Sequence, residues 1–563
     1  MLDPIAQRLS RSARQRSLLF VCSALISILL IGYHFGTFDQ AVHIPFLKAS
    51  VDPLLFPGDK FIEMRLTHYS YFWHFFQPFY GSGWLEVAMF VVHVLATCLT
   101  FWGLWELSWT LFHSPLASLF SVVAFIFPHL GFADFPVIEF SLLNRTFVFP
   151  FLLFAITLFL RQRYLLAFAL LGLMVNLHAV SVNFVLAMLL LDCVIEFRRI
   201  GVRNIVGGVC LFVIAALPVL LWKMGASPID LSLRGEWFSV VSRGALYNVF
   251  YLFGPYPHIY LATLAGFCSM AWFFAARSAA PSSGLNRTVT VFMVAVLLVL
   301  AVEQIVTLGL PVTILIQSQI LRIGFWGMVL GYLYFANLLS RYYQDRSFNR
   351  AEFAVLAGVF FLFPVAIFPF FVWALRKVVL ATKRRRIGMG LGLLVTLVGI
   401  YAGLWSFQIW FPGIYVFARQ TPWYTVQRWA RDNTPRDAVF ITPPHKWWFY
   451  ESDWRVFSER RTVATLSELL EAAFNPDYIS LWEPRFDALA PGALERFRGD
   501  YFENVEITRQ AFDSLPTATL LHVACDYGAS YLVVEKPRAR DLPLVYANDA
   551  YLVYDLHALD CPE

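Results

Sequence analysis

The chain has 563 residues, of which 59% are hydrophobic and only 14% are charged. Soluble domains carry roughly a quarter of charged residues, so this composition, with a mean hydropathy of +0.62, excludes a wholly soluble protein. The net charge of +5 is small for the length. It therefore bears on membrane topology and gives no indication of nucleic-acid binding.

Apolar runs recur along the first 412 residues, and a membrane-crossing helix needs about 20 such residues. They predict a polytopic α-helical membrane domain over residues 1–412, with about 11–13 spans, followed by a soluble α/β domain over residues 413–563. The runs lie near residues 17–34, 86–108, 115–132, 147–160, 164–181, 182–196, 204–222, 256–275, 288–309, 319–339, 353–380 and 388–411.

Basic residues predict which side of the membrane each loop occupies. Arginines cluster in the first 16 residues, which places the N-terminus in the cytoplasm and the loop after the first span outside. Residues 352–375 leave two alternatives, because the basic run 383–386 follows them. A tight pair of short helices, favoured by Pro364 and Pro369, puts the tail outside, whereas a single span puts it in the cytoplasm.

The outer loop over residues 35–84 is unusually polar, and its first acid, Asp39, follows the first apolar run almost directly. A partly desolvated carboxylate there can act as a general base or bind a metal ion. The alternative is an ordinary helix cap, since Asp prefers such positions. His43 is the nearest candidate to support Asp39 in substrate binding.

Further along the loop, Asp59 and Lys60 follow a turn-forming Phe-Pro-Gly sequence. Together they would meet a phosphate, or they form a plain surface turn. Arg65 lies on a predicted interfacial helix that continues to Phe79. That helix is expected either to dock a phosphate-bearing lipid or to serve as an ordinary amphipathic connector.

Isolated polar residues at the ends of apolar runs are costly in a membrane and therefore informative. Arg145 opens one span from the outside and His178 closes the next, so both are expected to line an outward cavity, with hydrogen-bonded packing as the alternative for His178. Arg322 stands at the outer start of a later span. It is predicted to bind phosphate or diphosphate, the alternatives being a structural pair with Glu303 or simple snorkelling of the side chain to the membrane surface.

The tail contains two predicted strands, at residues 438–442 and 531–534, and two predicted helices, at residues 424–431 and 465–473. It also holds Cys525 and Cys561, which either form a disulfide bond or stay as buried thiols. The chain has no Gly-rich phosphate loop, no Cys-x-x-Cys pair and no His-Glu-x-x-His motif. These absences argue against a nucleotide-driven motor and a zinc protease, and no metal ligand is assigned.

This layout resembles the GT-C superfamily of membrane glycosyltransferases, in a bacterial branch of unassigned function. The resemblance rests on the order of a first span, an outer loop with an early acid, many further spans and an outer C-terminal domain. The segments most similar to that branch read FDQAVHIP at 38–45, DPL at 52–54, FPGD at 56–59, WARDNTP at 429–435, FITPP at 440–444 and FSER at 457–460.

The resemblance implies an inverting transfer of a sugar from a polyprenyl-phosphate or polyprenyl-diphosphate donor to a glycan, lipid or protein acceptor outside a bacterial cytoplasmic membrane. Asp39 would be the base, and Arg322, with Arg65 or Lys60, would hold the donor phosphate. Gln40 stands where many members have a second acid, so a divalent metal is left open. The alternatives are a non-catalytic transporter or assembly partner for lipid-linked glycans, and an O-antigen polymerase or ligase.

Overall fold

The computed structural model describes residues 2–132, 136–226, 230–244, 247–253, 256–280, 283–345, 348–446 and 451–557. About 71% of it is helical, with a small sheet near the C-terminus, which agrees with the predicted polytopic helical protein. Eight of the described helices are long and apolar enough to cross a membrane, namely Ala13–Ile31, Leu85–Phe112, Tyr164–Ile195, Val202–Ala226, Pro257–Ala279, Gly284–Gly309, Ile320–Gln344 and Lys383–Ser406.

These eight helices of the described part of the chain are fewer than the 11–13 predicted spans. Two predicted runs, 164–181 and 182–196, correspond to the two halves of Tyr164–Ile195, which are separated by a kink with non-helical backbone angles at His178. Two others form the shorter helices Pro115–Ala124 and Asn144–Leu160. Hydropathy alone cannot distinguish a kinked long helix from two adjacent short ones.

The helix Ile320–Gln344 lies at the centre of the bundle and is almost entirely buried. It packs closely on the helix Pro257–Ala279, since a Cβ atom on Gly331 would lie 2.0 Å from the Ser269 carbonyl oxygen. By contrast, the helix Lys383–Ser406 has no buried residue. Arg322 therefore lies at the start of the central helix of the bundle.

Residues 350–374 form two short helices, Arg350–Leu362 and Ile367–Ala374, separated near Pro364. The structure thus has the pair of short helices that the two prolines favoured. The helix ends that lie away from Pro364 meet several other chain segments at one end of the bundle. There the Leu2 amide donates to Tyr343, and Arg386 pairs with Glu352 at 2.7 Å.

The opposite end of the bundle is marked by a short parallel ladder between Tyr33–His34 and Ile414–Tyr415. The Trp410 indole also donates to the Leu30 carbonyl at 2.7 Å. The first and last candidate spans therefore run in the same direction and deliver their C-terminal ends to the same face. The loop that carries Asp39 and the tail both begin at that face, which is the opposite end of the bundle from the N-terminus and residues 383–386.

The loop over residues 35–84 is largely ordered as short elements, namely Gln40–Val51, Lys60–Glu63, Met64–Thr67, Phe72–Phe76 and Gln77–Gly81. The predicted interfacial helix from Arg65 to Phe79 is wrong, because short 3₁₀ turns and bends replace it. Trp73 and Phe76 are buried within the protein, whereas Phe75 is exposed. The aromatic residues here form a protein core.

The tail is built around a five-stranded sheet, and both predicted strands and both predicted helical regions are found. The strands lie in the spatial order Arg461–Thr462, Val439–Ile441, Tyr531–Glu535, Tyr551–Asp555 and Leu544–Ala547. The first three are parallel to one another, and Tyr551–Asp555 runs antiparallel to both of its neighbours. Its helices are Pro422–Asn433, Trp454–Ser458, Leu466–Glu468, Leu469–Ala472, Pro476–Tyr478, Ile479–Leu489, Ala493–Arg496, Tyr501–Asp513 and Thr517–Tyr527.

The core of the tail continues into the first 412 residues. Leu469 and Trp482 of the tail share one buried cluster with Phe46 of the outer loop and with Trp237 of the helix Gly235–Gly244. The tail therefore packs as a continuation of residues 35–84 and of the helix Gly235–Gly244. Cys525 is disulfide-bonded, while Cys561 lies outside the described residues.

Candidate functional site

One cavity of about 780 Å³ lies between the membrane helices, the outer loop and the tail. Its walls are mostly apolar, with charged and polar groups placed among them. Five of the predicted site residues line it, although they come from four distant parts of the chain: Asp39, His43, Arg145, His178 and Arg322.

The carboxylate of Asp39 pairs with the guanidinium of Arg145 at 2.5 Å. Arg145 also binds Glu139 in a two-pronged contact, with both N–O distances at 2.7 Å. The side chains of Asp39, Arg145 and Glu139, hereafter the cavity cluster, are 20%, 13% and 11% exposed, respectively. Arg145 holds the Oδ2 atom of Asp39, and among the described residues none donates a hydrogen bond to Oδ1.

Asp39 has the position of a helix cap but not the hydrogen bond of one. Asp39 does occupy the N-cap position of Gln40–Val51, but its side chain makes no capping hydrogen bond. The preceding Phe38 adopts a left-handed backbone conformation, with φ at +53°. Because non-glycine residues rarely adopt this conformation, the turn is held in place by its surroundings, and the Asp39 carboxylate is committed to Arg145.

Gln40 explains why a second acid is absent at this position. Its side-chain oxygen accepts from the Gly36 amide, and its nitrogen donates to the Leu142 carbonyl, both at 2.8 Å. The side chain is fully buried. A carboxylate could not donate to Leu142 and would bring an uncompensated charge. The amide therefore fixes the Asp39 turn to the segment that leads into the helix Asn144–Leu160.

Arg322 lies on the 3₁₀ turn Ile320–Ile323, just after Gln319, whose φ is +47°. Its electrostatic neighbours include Arg145, Asp39 and Glu139. The alternative pair with Glu303 is not found, because neither carboxylate oxygen of Glu303 has a hydrogen-bond donor among the described residues. The turn thus places the Arg322 guanidinium on the cavity near the cavity cluster.

His178 lies at the kink of Tyr164–Ile195, with a non-helical φ of −157° and ψ of 89°. Its Nδ1 atom accepts a hydrogen bond from the Ser181 amide at 3.2 Å. In the neutral ring, an accepting Nδ1 leaves the proton on Nε2. His178 therefore caps the second half of its helix and offers a donor to the cavity it lines.

The other predicted phosphate-binding residues do not line the cavity. Asp59 caps the helix Lys60–Glu63 and pairs with Arg455, Lys60 is exposed and pairs with Glu63, and Arg65 donates to the Ile62 carbonyl. Asp59 and Lys60 were candidates for a phosphate site because an acid and a base are adjacent in the sequence. The structure gives the acid a buried partner and leaves the base in solvent.

Asp59 belongs to a buried ionic group, hereafter the junction cluster, that joins the outer loop to the tail. Arg455 contacts Asp59 at 2.7 Å, Glu468 at 2.9 Å and Asp453 at 3.7 Å, and all four side chains are at most 2% exposed. Burial alone would lower the pKa of Arg455, but the surrounding carboxylates raise it well above its ordinary value. This arginine therefore stays charged and cross-links three chain segments.

Sequence reasoning did not single out several polar residues of the cavity. Lys223 contacts the Tyr69 ring at 4.7 Å, and His258 approaches Asp500 at 3.7 Å. Glu471 lies on the tail helix Leu469–Ala472. Nothing in their local sequence distinguishes them from surface residues, because the packing of distant chain segments brings them to the cavity.

A second polar group on the same cavity wall consists of His43, His68 and Glu471. One ligand atom from each lies within 4.8 Å of the others, and the His68 Nδ1 and Glu471 Oε2 atoms are 3.6 Å apart. The His43 ring stacks on Trp73 at 4.7 Å between ring centroids. Burial lowers the pKa of His43 well below its ordinary value, and the nearby His68, Arg145 and His178 lower it further.

The arrangement combines an oriented carboxylate, a cation beside it, and an apolar chamber from which they project. Such a chamber can accept an amphipathic ligand with an anionic group, while the carboxylate accepts a proton from a hydroxyl. Comparison with known proteins adds one match: residues 421–489 match the family described as Domain of unknown function (DUF6798). No curated protein matches the chain.

Proposed function

We propose that the protein is a membrane-embedded, GT-C-like glycosyltransferase. It would move a sugar from a polyprenyl-phosphate or polyprenyl-diphosphate donor to an acceptor on the outer side of a bacterial cytoplasmic membrane. One observation carries the proposal: Asp39, Arg145 and Arg322, which the sequence separates by more than 100 and more than 170 positions, line a single largely apolar cavity.

The cavity suits a lipid that carries a phosphate. Apolar residues from several membrane helices form much of its lining, including Phe212, Leu220 and Leu404, and they would accept part of the polyprenyl chain. Arg322 lies on the cavity and has Asp39, Arg145 and Glu139 as electrostatic neighbours, so we assign the donor phosphate to it. Arginine suits this task because its guanidinium can bind two phosphate oxygens at once.

In the proposed reaction, the Oδ1 atom of Asp39 takes the proton of an acceptor hydroxyl. The hydroxyl oxygen then bonds to the anomeric carbon while the bond from that carbon to the donor phosphate oxygen breaks, which inverts the anomeric centre. The electron pair of the broken bond stays on the lipid phosphate, and Arg322 stabilises its charge. Glu139 acts through Arg145 to position Asp39.

The sidedness follows from two features that agree. The ladder between Tyr33–His34 and Ile414–Tyr415 brings the tail and the Asp39 loop to one end of the bundle. The basic residues near the N-terminus and at 383–386 belong to the other end, which the positive-inside rule assigns to the cytoplasm. We therefore place the cavity and the tail on the outer side.

The decisive experiment separates donor binding from transfer. Full-length protein in lipid nanodiscs is titrated with a polyprenyl phosphate, and transfer is assayed with polyprenyl-phosphate donors carrying glucose, mannose or arabinose and with membrane lipid extract as acceptor. Asp39→Asn should keep lipid binding and lower transfer by about 10²–10⁴-fold. Arg322→Gln should weaken polyprenyl-phosphate binding by at least about tenfold.

The exposed Arg436→Gln variant serves as the matched arginine control and should change neither quantity. Transfer that survives Asp39→Asn unchanged would remove Asp39 as the base. Tight binding of the lipid without turnover of any donor, by wild type and Asp39→Asn alike, would instead favour a transporter or assembly partner for lipid-linked glycans.

A further inference from the structure

We propose that His43, His68 and Glu471 form a binding site for a divalent transition-metal ion in the wall of the cavity. Their ligand atoms lie within 4.8 Å of one another, and the His43 and His68 ring centroids are 4.7 Å apart. This inference is independent of sugar transfer, because it rests only on the positions of these three side chains.

The ligand types determine the class of ion. Two imidazoles and one carboxylate suit borderline ions such as Zn²⁺, whereas Mg²⁺ and Ca²⁺ prefer oxygen ligands. Tetrahedral Zn²⁺, with bonds of about 2.0–2.1 Å, separates its ligand atoms by about 3.4 Å. His68 Nδ1 and Glu471 Oε2 are already 3.6 Å apart, so only small side-chain rotations are needed to bring the set together.

A separate observation points to a missing ligand at this place. The Nδ1 atom of His43 is buried and has no hydrogen-bond partner among the described residues, and the whole residue is 9% exposed. Glu471 is also buried, at 5% exposure. Buried polar atoms are rarely left without a partner, and an ion bound between these side chains would provide one.

The three residues are held by different parts of the fold. His43 stacks against Trp73, and His68 follows the 3₁₀ turn Met64–Thr67. Glu471 is held from behind, because the Trp237 indole donates to the adjacent Ala472 carbonyl at 2.8 Å. These supports are independent of any ion, so the site is formed before binding and does not need to be ordered by it.

All three residues line the cavity, so a molecule inside it can supply the remaining ligand to the ion. Three protein ligands with one open position are typical of reactive zinc sites, whereas structural sites are usually closed by four. Arg145, an electrostatic neighbour of His43, is already paired with two carboxylates, which limits its repulsion of an ion. The site would also tie the outer loop to the tail.

The test uses full-length protein in detergent, stripped with a chelator and titrated with ZnCl₂ or CoCl₂. Wild type should bind about one ion per chain, and Co²⁺ should show the strong visible absorption of a four-coordinate site. His43→Ala, His68→Ala and Glu471→Gln should each weaken binding by more than the roughly 10–100-fold cost of losing a supporting contact. His74→Ala, an exposed histidine on the same loop, should bind like wild type.

His68→Cys guards against a merely structural effect. A thiolate is also a zinc and cobalt ligand, so this variant should recover binding that His68→Ala loses, with a new sulfur-to-cobalt charge-transfer band. The proposal is overturned if wild type binds neither ion, if binding is the same in all variants, or if His68→Cys binds cobalt without that band. Thermal unfolding of each stripped variant confirms that it is folded.

Discussion

Two acids of the same outer loop, Asp39 and Asp59, end in ionic groups of opposite character. Both pair with an arginine that is distant in sequence, Arg145 and Arg455. In the junction cluster, Asp59 and Arg455 are almost fully buried and surrounded by further carboxylates. In the cavity cluster, Asp39 is 20% exposed and keeps one carboxylate oxygen without a donor among the described residues.

The difference shows that residue type and pairing do not separate structural from functional charges. What separates them is exposure, since the side chains of the junction cluster are at most 2% exposed and those of the cavity cluster are 11–20% exposed on a cavity. A closed group contributes to stability only, because removing a member leaves other charges buried. A group that opens on a cavity can meet a ligand. The contrast therefore predicts large stability effects in the first cluster and small ones in the second.

The largest effect is expected for Arg455→Met. It leaves Asp59 buried without its cation and leaves Glu468 with only the longer contact to Arg485 at 3.5 Å, and breaking a buried ion pair in this way costs about 3–5 kcal/mol. Thermal or denaturant unfolding in detergent should show this loss. Arg436→Met is the matched control, since Arg436 pairs with Asp52 at the surface and should change stability by less than about 1 kcal/mol. Similar stabilities of the two variants would contradict the closed nature of the junction cluster.

The comparison is tested most directly by making the same change in both acids. Asp59→Asn should lower the free energy of unfolding by about 2 kcal/mol, because it weakens charge-assisted hydrogen bonds in a buried place. Asp39→Asn should cost less than about 1 kcal/mol, since Arg145 keeps its two-pronged contact with Glu139. Equal losses would show that the Asp39 pair is structural too. The measurement is unfolding of both variants under one set of conditions.

A smaller effect is expected where an acid is added beside Asp39. Gln40→Glu removes the donor to the Leu142 carbonyl and should cost about 1–2 kcal/mol, with unfolding as the measurement. Gln420→Glu, at an exposed position of the tail, should be neutral. An unchanged or increased stability of Gln40→Glu would indicate that the turn tolerates a second acid.

The smallest effect is expected for Lys60→Ala. The Lys60 and Glu63 side chains are 52% and 50% exposed, and such surface pairs contribute at most about 0.5 kcal/mol. Neither stability nor binding of a polyprenyl phosphate should change. A clear loss of lipid binding would return Lys60 to the candidate site, and Lys377→Ala, in another basic segment of the chain, provides the comparison.

Sequence patterns predicted the helical membrane region, the α/β tail and five of the residues that share the cavity. They singled out Asp39 and Arg322 because charged groups at the ends of apolar runs are costly and therefore few, and both residues line the cavity. They gave no sign that Asp59 pairs with Arg455, which lies 396 positions away. They also missed Glu471 and Lys223, because neither hydropathy nor local motifs record which distant segments pack together around the cavity.

The ladder between Tyr33–His34 and Ile414–Tyr415 has a consequence for biosynthesis. Leu30 and its partner Trp410 are 380 residues apart, and a ribosome adding about 5–20 residues per second needs roughly 20–80 s to cover that distance. During this time the segment that carries Asp39 has already been synthesised, but the tail that completes its surroundings has not. A truncated or stalled chain would therefore be inserted in the membrane with an unfinished cavity, so that complete translation is a condition for activity.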